Sequence, residues 1–329
     1  MAVQTINVVT GVCSSVFLLY TMYYVKVFWM RRYCRSQNTM KGKTVVVTGG
    51  DSGIGKETAI ELARRGARVI LACRTTHKGI PAALEVQQRS GNGNVVYRNL
   101  DLCSQKSIHE FVKLFLKEES RLDVLINNAG LGATARGLVT VEGFDMVFGV
   151  NYFGHFLVSM LLLNKLKASA PSRIVNVASE AHHLANRLDL TPVDDEGKRF
   201  PGLVGYATSN LAKVMFTREL ERRLRGTGIT AYAVHPGRVN SNMWRRSLSA
   251  RGKHWVNTFI GPVIWLLLIS EEAGAQTTIY CAVEEGITHF SGRYFDNCDL
   301  ATASELAKDD TLCRKLWEIS CQAVGYGGD

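Results

Sequence analysis

The fold is decided by residues 44–55, Thr44-Val45-Val46-Val47-Thr48-Gly49-Gly50-Asp51-Ser52-Gly53-Ile54-Gly55. A β-branched run without polar alternation ends in a glycine-rich turn, and a helical pattern follows at once. Glycines at such a junction permit a tight turn, close approach of backbone to a pyrophosphate, and close helix–strand packing. The helix amino terminus adds N–H donors. The spacing is Gly-xxx-Gly-x-Gly, and an ordinary strand–helix turn is the competing reading, so the surrounding pattern has to carry the assignment.

That pattern repeats along the chain. Strands are expected at Thr44–Val47, Arg68–Ala72, Val95–Tyr97, Val124–Ile126, Ile174–Val177, Thr230–Val234 and Tyr294–Phe295. Helices are expected at Ile54–Arg65, Ser104–Glu118, Phe144–Lys167 and Tyr206–Arg225. The alternation calls for an α/β fold, a doubly wound parallel sheet of Rossmann type with helices on both faces, in one domain over residues 42–329. The second strand ends Leu71-Ala72-Cys73-Arg74. An acid there would bond the ribose 2′-OH of NAD, whereas Arg74, with Lys56 near the glycine loop, favours a 2′-phosphate and hence NADP(H). The alternative for Arg74 is a solvated surface charge.

Composition agrees with a folded protein: 46% of the 329 residues are apolar and 21% are charged. The net charge of +10 would suggest nucleic acid, but residues 1–50 hold Lys26, Arg31, Arg32, Arg35, Lys41 and Lys43 and no acid. This excess flanks the uncharged run Ile6–Val25, twenty residues long, about what a helix needs to cross a ~30 Å hydrocarbon layer. Basic residues after an apolar run point to an uncleaved signal anchor over residues 1–38 rather than to a cleaved signal or a presequence. The expected location is a membrane, that of the endoplasmic reticulum with the catalytic domain in the cytosol, with mitochondrial or secreted placement as alternatives. Membrane lipid is then an expected partner and nucleic acid is not. The eight cysteines show no CxxC pair, and no zinc-ligand spacing appears, so no metal is expected.

With Asn127-Asn128-Ala129-Gly130 after the fourth strand, Ser179 after the fifth and Tyr206 beyond it, the chain resembles the short-chain dehydrogenase/reductase superfamily over about residues 42–320. Within it, GARVILACR at 66–74, AHH at 181–183, VHPGRVNS at 234–241, GAQTTIYCA at 274–282, SGRYF at 291–295 and LWEIS at 316–320 look most like the membrane-anchored retinol dehydrogenases and the dehydrogenase/reductase member 13 proteins. The resemblance implies a nicotinamide cofactor and interconversion of alcohols and carbonyls. It assigns Gly49, Ser52, Gly53, Ile54 and Gly55 to the dinucleotide loop and Asp101 to adenine. Asn128 and Ala129 would lie along the cofactor, and Pro236, Gly237 and Val239 over the nicotinamide. It makes Tyr206 the acid/base, Ser179 the residue that orients the substrate oxygen, and Asn151 the holder of a water relay. A homodimer, paired through the helix bearing the Tyr, is a further implication.

One family position is different. A free Tyr, with pKa about 10, is a poor base at neutral pH, and the family places a Lys four residues after it. Here the run is Tyr206-Ala207-Thr208-Ser209-Asn210-Leu211-Ala212-Lys213, so that position is Asn210. Asn210 can bond ribose hydroxyls but brings no charge. A unit charge ~5 Å away at an effective dielectric of 20 contributes about 3 kcal/mol, or roughly two pKa units. Lys213 lies about 20° from Tyr206 around a helix but ~10 Å along it. A solvated helix charge is the favoured reading of Lys213, with a partial electrostatic role the alternative. Two functions follow: a slow or reduction-biased NADP(H)-dependent oxidoreductase of small apolar carbonyls and alcohols such as retinal or another lipid aldehyde or ketone, or a membrane-tethered NADP(H)-binding protein with negligible turnover. His182 and His183 read as surface or loop histidines, and Asp194-Asp195-Glu196 as a solvated loop. Residues 240–270, rich in Trp and Arg, read as a lid over an apolar pocket beside the membrane or as a packed helix pair.

Overall fold

A computed structural model describes residues 2–24, 32–132, 138–188, 203–239 and 268–327. The acidic run 194–196 and most of the expected lid, residues 240–267, lie outside them.

The glycine-rich turn joins β1 (Thr44–Thr48) to α2 (Gly53–Arg64). Six further strands of the expected set follow: β2 (Arg68–Cys73), β3 (Val95–Asn99), β4 (Val124–Asn127), β5 (Ser172–Val177), β6 (Ile229–His235) and β7 (Tyr294–Asp296). With β8 (Asp299–Ala301) they form one sheet in the order β3-β2-β1-β4-β5-β6-β7-β8. All neighbours are parallel except the last pair, where β8 runs antiparallel to β7. The order reverses between β1 and β4, the switch point at which open α/β sheets bind ligands beyond the strand carboxyl ends. Strands β1 and β4 are buried along their whole length, as their uninterrupted aliphatic runs require. β3 is only half covered because it forms the sheet edge.

Helices cover both faces and divide the apolar interior in two. One layer gathers Ile108, Phe111, Phe156, Leu211, Phe216 and Trp317 beneath one face, and the other gathers Ile60, Leu62, Val86, Ile279 and Phe295 beneath the opposite one. The first holds α4 (Gln105–Glu118), α8 (Leu203–Leu224) and α10 (Asp310–Val324); the second holds α2, α3 (Thr76–Ser90) and α9 (Glu271–Val283).

Several expectations are corrected. The single helix expected over Phe144–Lys167 is broken into α5 (Met146–Phe148), a π-helical turn over Gly149–Phe153, α6 (Gly154–Leu161) and α7 (Leu163–Ala168). Gly149 allows the crowding at that turn, since a Cβ there would lie 2.4 Å from Thr140 Cγ2. Helix α3, which the sequence pattern did not announce, carries Gly79 against the Tyr97 ring, where a Cβ would lie 2.1 Å from Cδ2. The amino-terminal run forms α1 (Ala2–Tyr24). No described helix is long and apolar enough to cross a membrane. The strap that follows is tied to the body. Cys34 N–H donates to Gln276 Oε1 (3.1 Å), Asn38 Nδ2 to Val283 O (2.9 Å), and Arg65 Nη1 to Ser36 O (2.7 Å).

Candidate active site

The cofactor end is built by backbone. Gly53 takes φ of +60° at the start of α2, and a Cβ on Gly55 would lie 2.4 Å from both Asn128 Nδ2 and Gly49 O. Only glycine lets the β1–α2 turn close against the β4 loop in this way. Thr48 Oγ1 accepts the N–H groups of Asn128 (2.9 Å) and Ala129 (3.0 Å), and Asn128 Nδ2 donates to Thr48 O (2.8 Å). Ser52 sits at the α2 cap in extended conformation without capping it through its side chain. The first N–H groups of the helix therefore face a cleft of about 910 Å³. Gly49, Ser52, Gly53, Ile54, Gly55, Arg74, Asp101, Asn128 and Ala129 line this cleft at one end, with Asn151, Tyr206, Asn210, Lys213 and Pro236 at the other. A glycine cradle at a helix amino terminus fits a pyrophosphate, so the donor set suits a dinucleotide.

Three expected site residues do not line the cleft: Ser179, which reaches it only through Tyr206, and two residues of the loop after β6. Gly237 holds a turn with φ of +87°, and Val239 is buried against Ile54, Ile269 and Ala273, so both shape the wall from behind. Around the adenosine end, Arg74 is exposed on the rim beside His77 and Lys78. Lys56 is not available to a phosphate in the same way, because its Nζ donates to Glu85 Oε2 at 2.8 Å. Asp101 Oδ1 accepts the Cys103 N–H at 2.9 Å.

At the other end α8 presents Tyr206. Burial raises its phenol pKa, and the side chains of Ser179 and Asn210, within hydrogen-bonding reach, pull against that shift. The carboxylate of Glu180 adds to the rise, and among the described residues no cation opposes it. Asn210 Nδ2 is turned back along its own helix and donates to Tyr206 O at 2.8 Å. Ser179, just past β5, is half-buried, and its Oγ accepts the Ala181 N–H at 3.2 Å while heading a short 3₁₀ turn.

Asn151 occupies the π turn, a device that re-aims side chains at functional sites. Its Nδ2 donates to Leu131 O (3.0 Å) and Ser209 Oγ (3.1 Å), and its Oδ1 accepts the Leu131 N–H (2.7 Å). The side chain thus braces the β4 loop against α8. Beneath it lies His155, which sequence reasoning missed. Its Nδ1 is 2.9 Å from Asn151 O and its Nε2 is 2.9 Å from Thr48 Oγ1. A carbonyl can only accept, so Nδ1 carries the proton and Nε2 accepts from the threonine hydroxyl. Burial, helped by the charge of Lys213, pushes the His155 pKa down to about 3, so the ring is a neutral connector between the glycine loop and the π turn.

Lys213 corrects the reading of a solvated helix charge. Its exposure is 4%, and its Nζ donates to Val177 O at 2.8 Å, at the carboxyl end of β5. Burial lowers its pKa to about 7. His182 is likewise fully buried rather than a surface residue. Its Nδ1 donates to Ser179 O (2.7 Å) and its Nε2 accepts the Ser304 N–H (3.1 Å), so it pins the serine to the carboxyl-terminal segment. Glu180 pairs with Arg238 at 2.8 Å, which overcomes burial and holds its carboxyl below the usual range. Tyr23 of α1 also reaches Arg238, so the amino-terminal helix touches the rim of this site. Among the described residues no cluster of His, Cys, Asp and Glu could hold a metal ion.

The short chain dehydrogenase family profile matches residues 43–190. Human retinol dehydrogenase 11 is 48% identical over 292 residues, covering 89% of each chain. The chain belongs to the short-chain dehydrogenase family. Dehydrogenase/reductase SDR family member 13 of Bos taurus is 47% identical over 295 residues, covering 89% of this chain and 76% of that one. The Pseudomonas aeruginosa RhlG/NADP active-site complex superposes with a TM-score of 0.61 at 25% identity, covering 78% of this chain and 95% of that one. Membership in this family makes the protein an oxidoreductase with a nicotinamide cofactor and a small-molecule substrate.

Proposed function

We propose that this short-chain dehydrogenase reduces an apolar carbonyl with NADPH, a retinal-like aldehyde being the first candidate, and that it works better as a reductase than as an alcohol dehydrogenase. The observation that carries this reading is the state of Tyr206: a half-buried phenol with a raised pKa, Ser179 and Asn210 at hand, and, among the described residues, no cation acting on it. Such a group holds its proton firmly at neutral pH and can donate it, which is what the oxygen of a carbonyl undergoing reduction requires.

When bound, the cofactor supplies hydride to the carbonyl carbon. Tyr206 Oη gives its proton to the carbonyl oxygen, and the Ser179 hydroxyl hydrogen-bonds the same oxygen and fixes its position. Asn151 and His155 contribute indirectly, by holding the β4 loop, the glycine turn and α8 in register. Arg74 on the rim supports NADP(H) over NAD(H), since a guanidinium meets a 2′-phosphate with paired donors.

An apolar substrate is supported by Leu131 and Leu138 in the cleft wall and by the exposed side chains of Leu184, Leu203 and Val204, which flank Ser179 and Tyr206 in the chain. Helix α1 exposes Val16, Phe17, Leu18, Leu19 and Met22 ahead of the basic residues 26–35. These features support a membrane-held enzyme with its catalytic body on the basic, cytosolic side, as an endoplasmic reticulum protein would have. The amino-terminal segment serves as the anchor, and residues 42–329 form the catalytic body. A second reading, an NADP(H)-binding protein with negligible turnover, is favoured by Asn210 alone, because its amide is spent on a backbone carbonyl.

Single-turnover reduction of all-trans-retinal by purified full-length protein preloaded with NADPH separates the two. Stoichiometric retinol, lost in Tyr206→Phe and much weaker with NADH, is the expected result. Tight NADPH binding without turnover across a panel of aldehydes would replace the enzyme by the binding protein.

A further inference from the structure

We propose that Glu271 competes with the coenzyme: its carboxylate sits where a pyrophosphate has to go and withdraws when a dinucleotide binds, weakening NADPH and NADH alike and hastening release of the spent coenzyme. The inference rests on the dinucleotide reading of the cleft and is independent of the substrate and of the direction of reaction.

Geometry carries the argument. The glycine cradle offers an anion the first N–H groups of α2, and Gly53 opens that helix. A Cβ on Gly53 would lie 3.5 Å from Glu271 Oε1 and 3.9 Å from its carboxyl carbon. The carboxylate thus reaches from the first turn of α9 to the first turn of α2, and Glu271 lines the cleft together with Ser52 and Gly53. The backbone that carries it is held firmly. Ser270 caps α9 by accepting the Ala273 N–H at 3.1 Å, and the Ile269 N–H donates to Arg238 O at 2.9 Å. A Cβ on Gly274 would lie 2.5 Å from Val239 Cγ2 and 3.3 Å from Ile54 Cγ1, so α9 is pressed against the start of α2. Relief therefore has to come from rotation of the half-buried side chain itself.

Charge explains both the contact and its cost. A helix amino terminus favours anions through its unsatisfied N–H groups and its dipole. Ser52 does not cap α2 through its side chain, so a carboxylate over Gly53 meets in part the demand that a pyrophosphate would meet. Two anions cannot share the position. At ~5 Å, unit charges of like sign cost a few-fold in affinity through water and a few hundredfold in an interior. For a half-buried carboxylate the expected cost is about tenfold. Lys56, one turn into α2, does not relieve it, because its Nζ is committed to Glu85. Asp51, in the same turn as Ser52, adds a second carboxylate to the cleft wall. The pyrophosphate is common to both coenzymes, so the penalty is common too, unlike the preference that Arg74 governs.

Fluorescence titration of the full-length protein with NADPH and with NADH tests this without turnover. Glu271→Gln should tighten both about tenfold and slow NADPH dissociation, followed by stopped flow, by a similar factor. The gain should shrink as salt rises. Without coenzyme the variant should unfold at a lower denaturant concentration than the unaltered protein, since α2 loses the anion at its amino terminus. Glu272→Gln removes the same charge from the first turn of α9 at an exposed position and should change either affinity by less than about twofold. Glu271→Ala replaces the glutamine variant if that one does not fold. Unchanged or weakened binding of both coenzymes in folded Glu271→Gln overturns the proposal and leaves the dinucleotide reading intact. An equal gain in Glu272→Gln also overturns it, by showing that net charge rather than position sets affinity. Failure of both coenzymes to bind either protein removes the dinucleotide reading and this proposal together.

Discussion

The two ends of the cleft obey different logics. At the cofactor end the work is done by backbone: a turn that only glycine can make, amide groups at a helix start, and a threonine hydroxyl that locks two loops together. At the other end it is done by side-chain charge and proton affinity. Asn210 is folded onto its own helix, Tyr206 is left with a raised pKa, and Lys213, three residues beyond Asn210, is buried with its amine on Val177 O. A binding site and a reaction site in one cleft can thus diverge independently, because dinucleotide affinity and phenol acidity draw on different atoms.

The sharpest way to separate them is Tyr206→Phe. Removing the proton donor should cost about 10³-fold in turnover, within the usual range for general acid–base groups, while NADPH affinity by fluorescence titration stays within about twofold. A parallel loss of affinity would join the two ends again.

Lys213→Met probes the stability invested in the catalytic end. The ordinary lysine value is 10.5, and the folded protein lowers it to about 7. Between these values the unfolded chain binds more protons than the folded one, so stability rises as pH climbs from about 7 to 10.5 and the penalty is complete below 7. Replacement by methionine should therefore stabilise the protein by up to about 5 kcal/mol at pH 6, less the lost bond to Val177 O, and by little above pH 10. Denaturant midpoints across pH, taken with unchanged m-values, measure this. A gain independent of pH would show that packing rather than ionisation sets the cost.

How much of this was legible beforehand divides along the same line. Aliphatic runs such as Val45–Val47 and Leu125–Ile126 announced buried parallel strands because nothing else buries both faces of so short a segment. β8, in contrast, is three residues beginning with Asp299, formed only because Asn297 and Cys298 turn with positive φ and bring it beside β7. α3 was hidden by Gly79 and Pro81, both poor helix residues, although the close contact of Gly79 with Tyr97 explains the first. The glycine loop was legible from residue type and spacing, whereas Tyr206 and Ser179 were singled out only through the family resemblance. The surroundings of Lys213 were not legible. α8 packs on the sheet, on α10 and on the π turn together, so nearly every residue from Ala207 to Phe216 is buried and no solvated face remains for a lysine to occupy. His155 and His182 escaped for the same reason: their roles depend on backbone carbonyls that only the folded chain brings near.

Placing a lysine at 210 tests whether a cation beside Tyr206 speeds the oxidative direction. An ammonium there would sit about one turn from Tyr206 and lower the phenol pKa by up to roughly two units. Asn210→Lys should raise alcohol oxidation at pH 7 about thirtyfold and carbonyl reduction far less, since in reduction the phenol starts protonated. An unchanged oxidation rate in folded protein would mean that proton transfer does not limit that direction.

The smallest effect is expected at the cofactor rim. Arg74 is exposed, so a charge-assisted contact with a 2′-phosphate is screened by solvent and salt. Arg74→Ala should weaken NADPH binding about tenfold, by roughly 1.4 kcal/mol, and leave NADH binding unchanged. The loss should shrink as ionic strength rises, because exposed charge pairs are screened within about 10 Å at 0.1 M salt. Equal losses for both coenzymes would locate the phosphate contact elsewhere on the rim, with His77 and Lys78 the neighbouring candidates. Selectivity at that end would then rest on a patch of charge, while the glycine cradle continued to set affinity for the shared pyrophosphate.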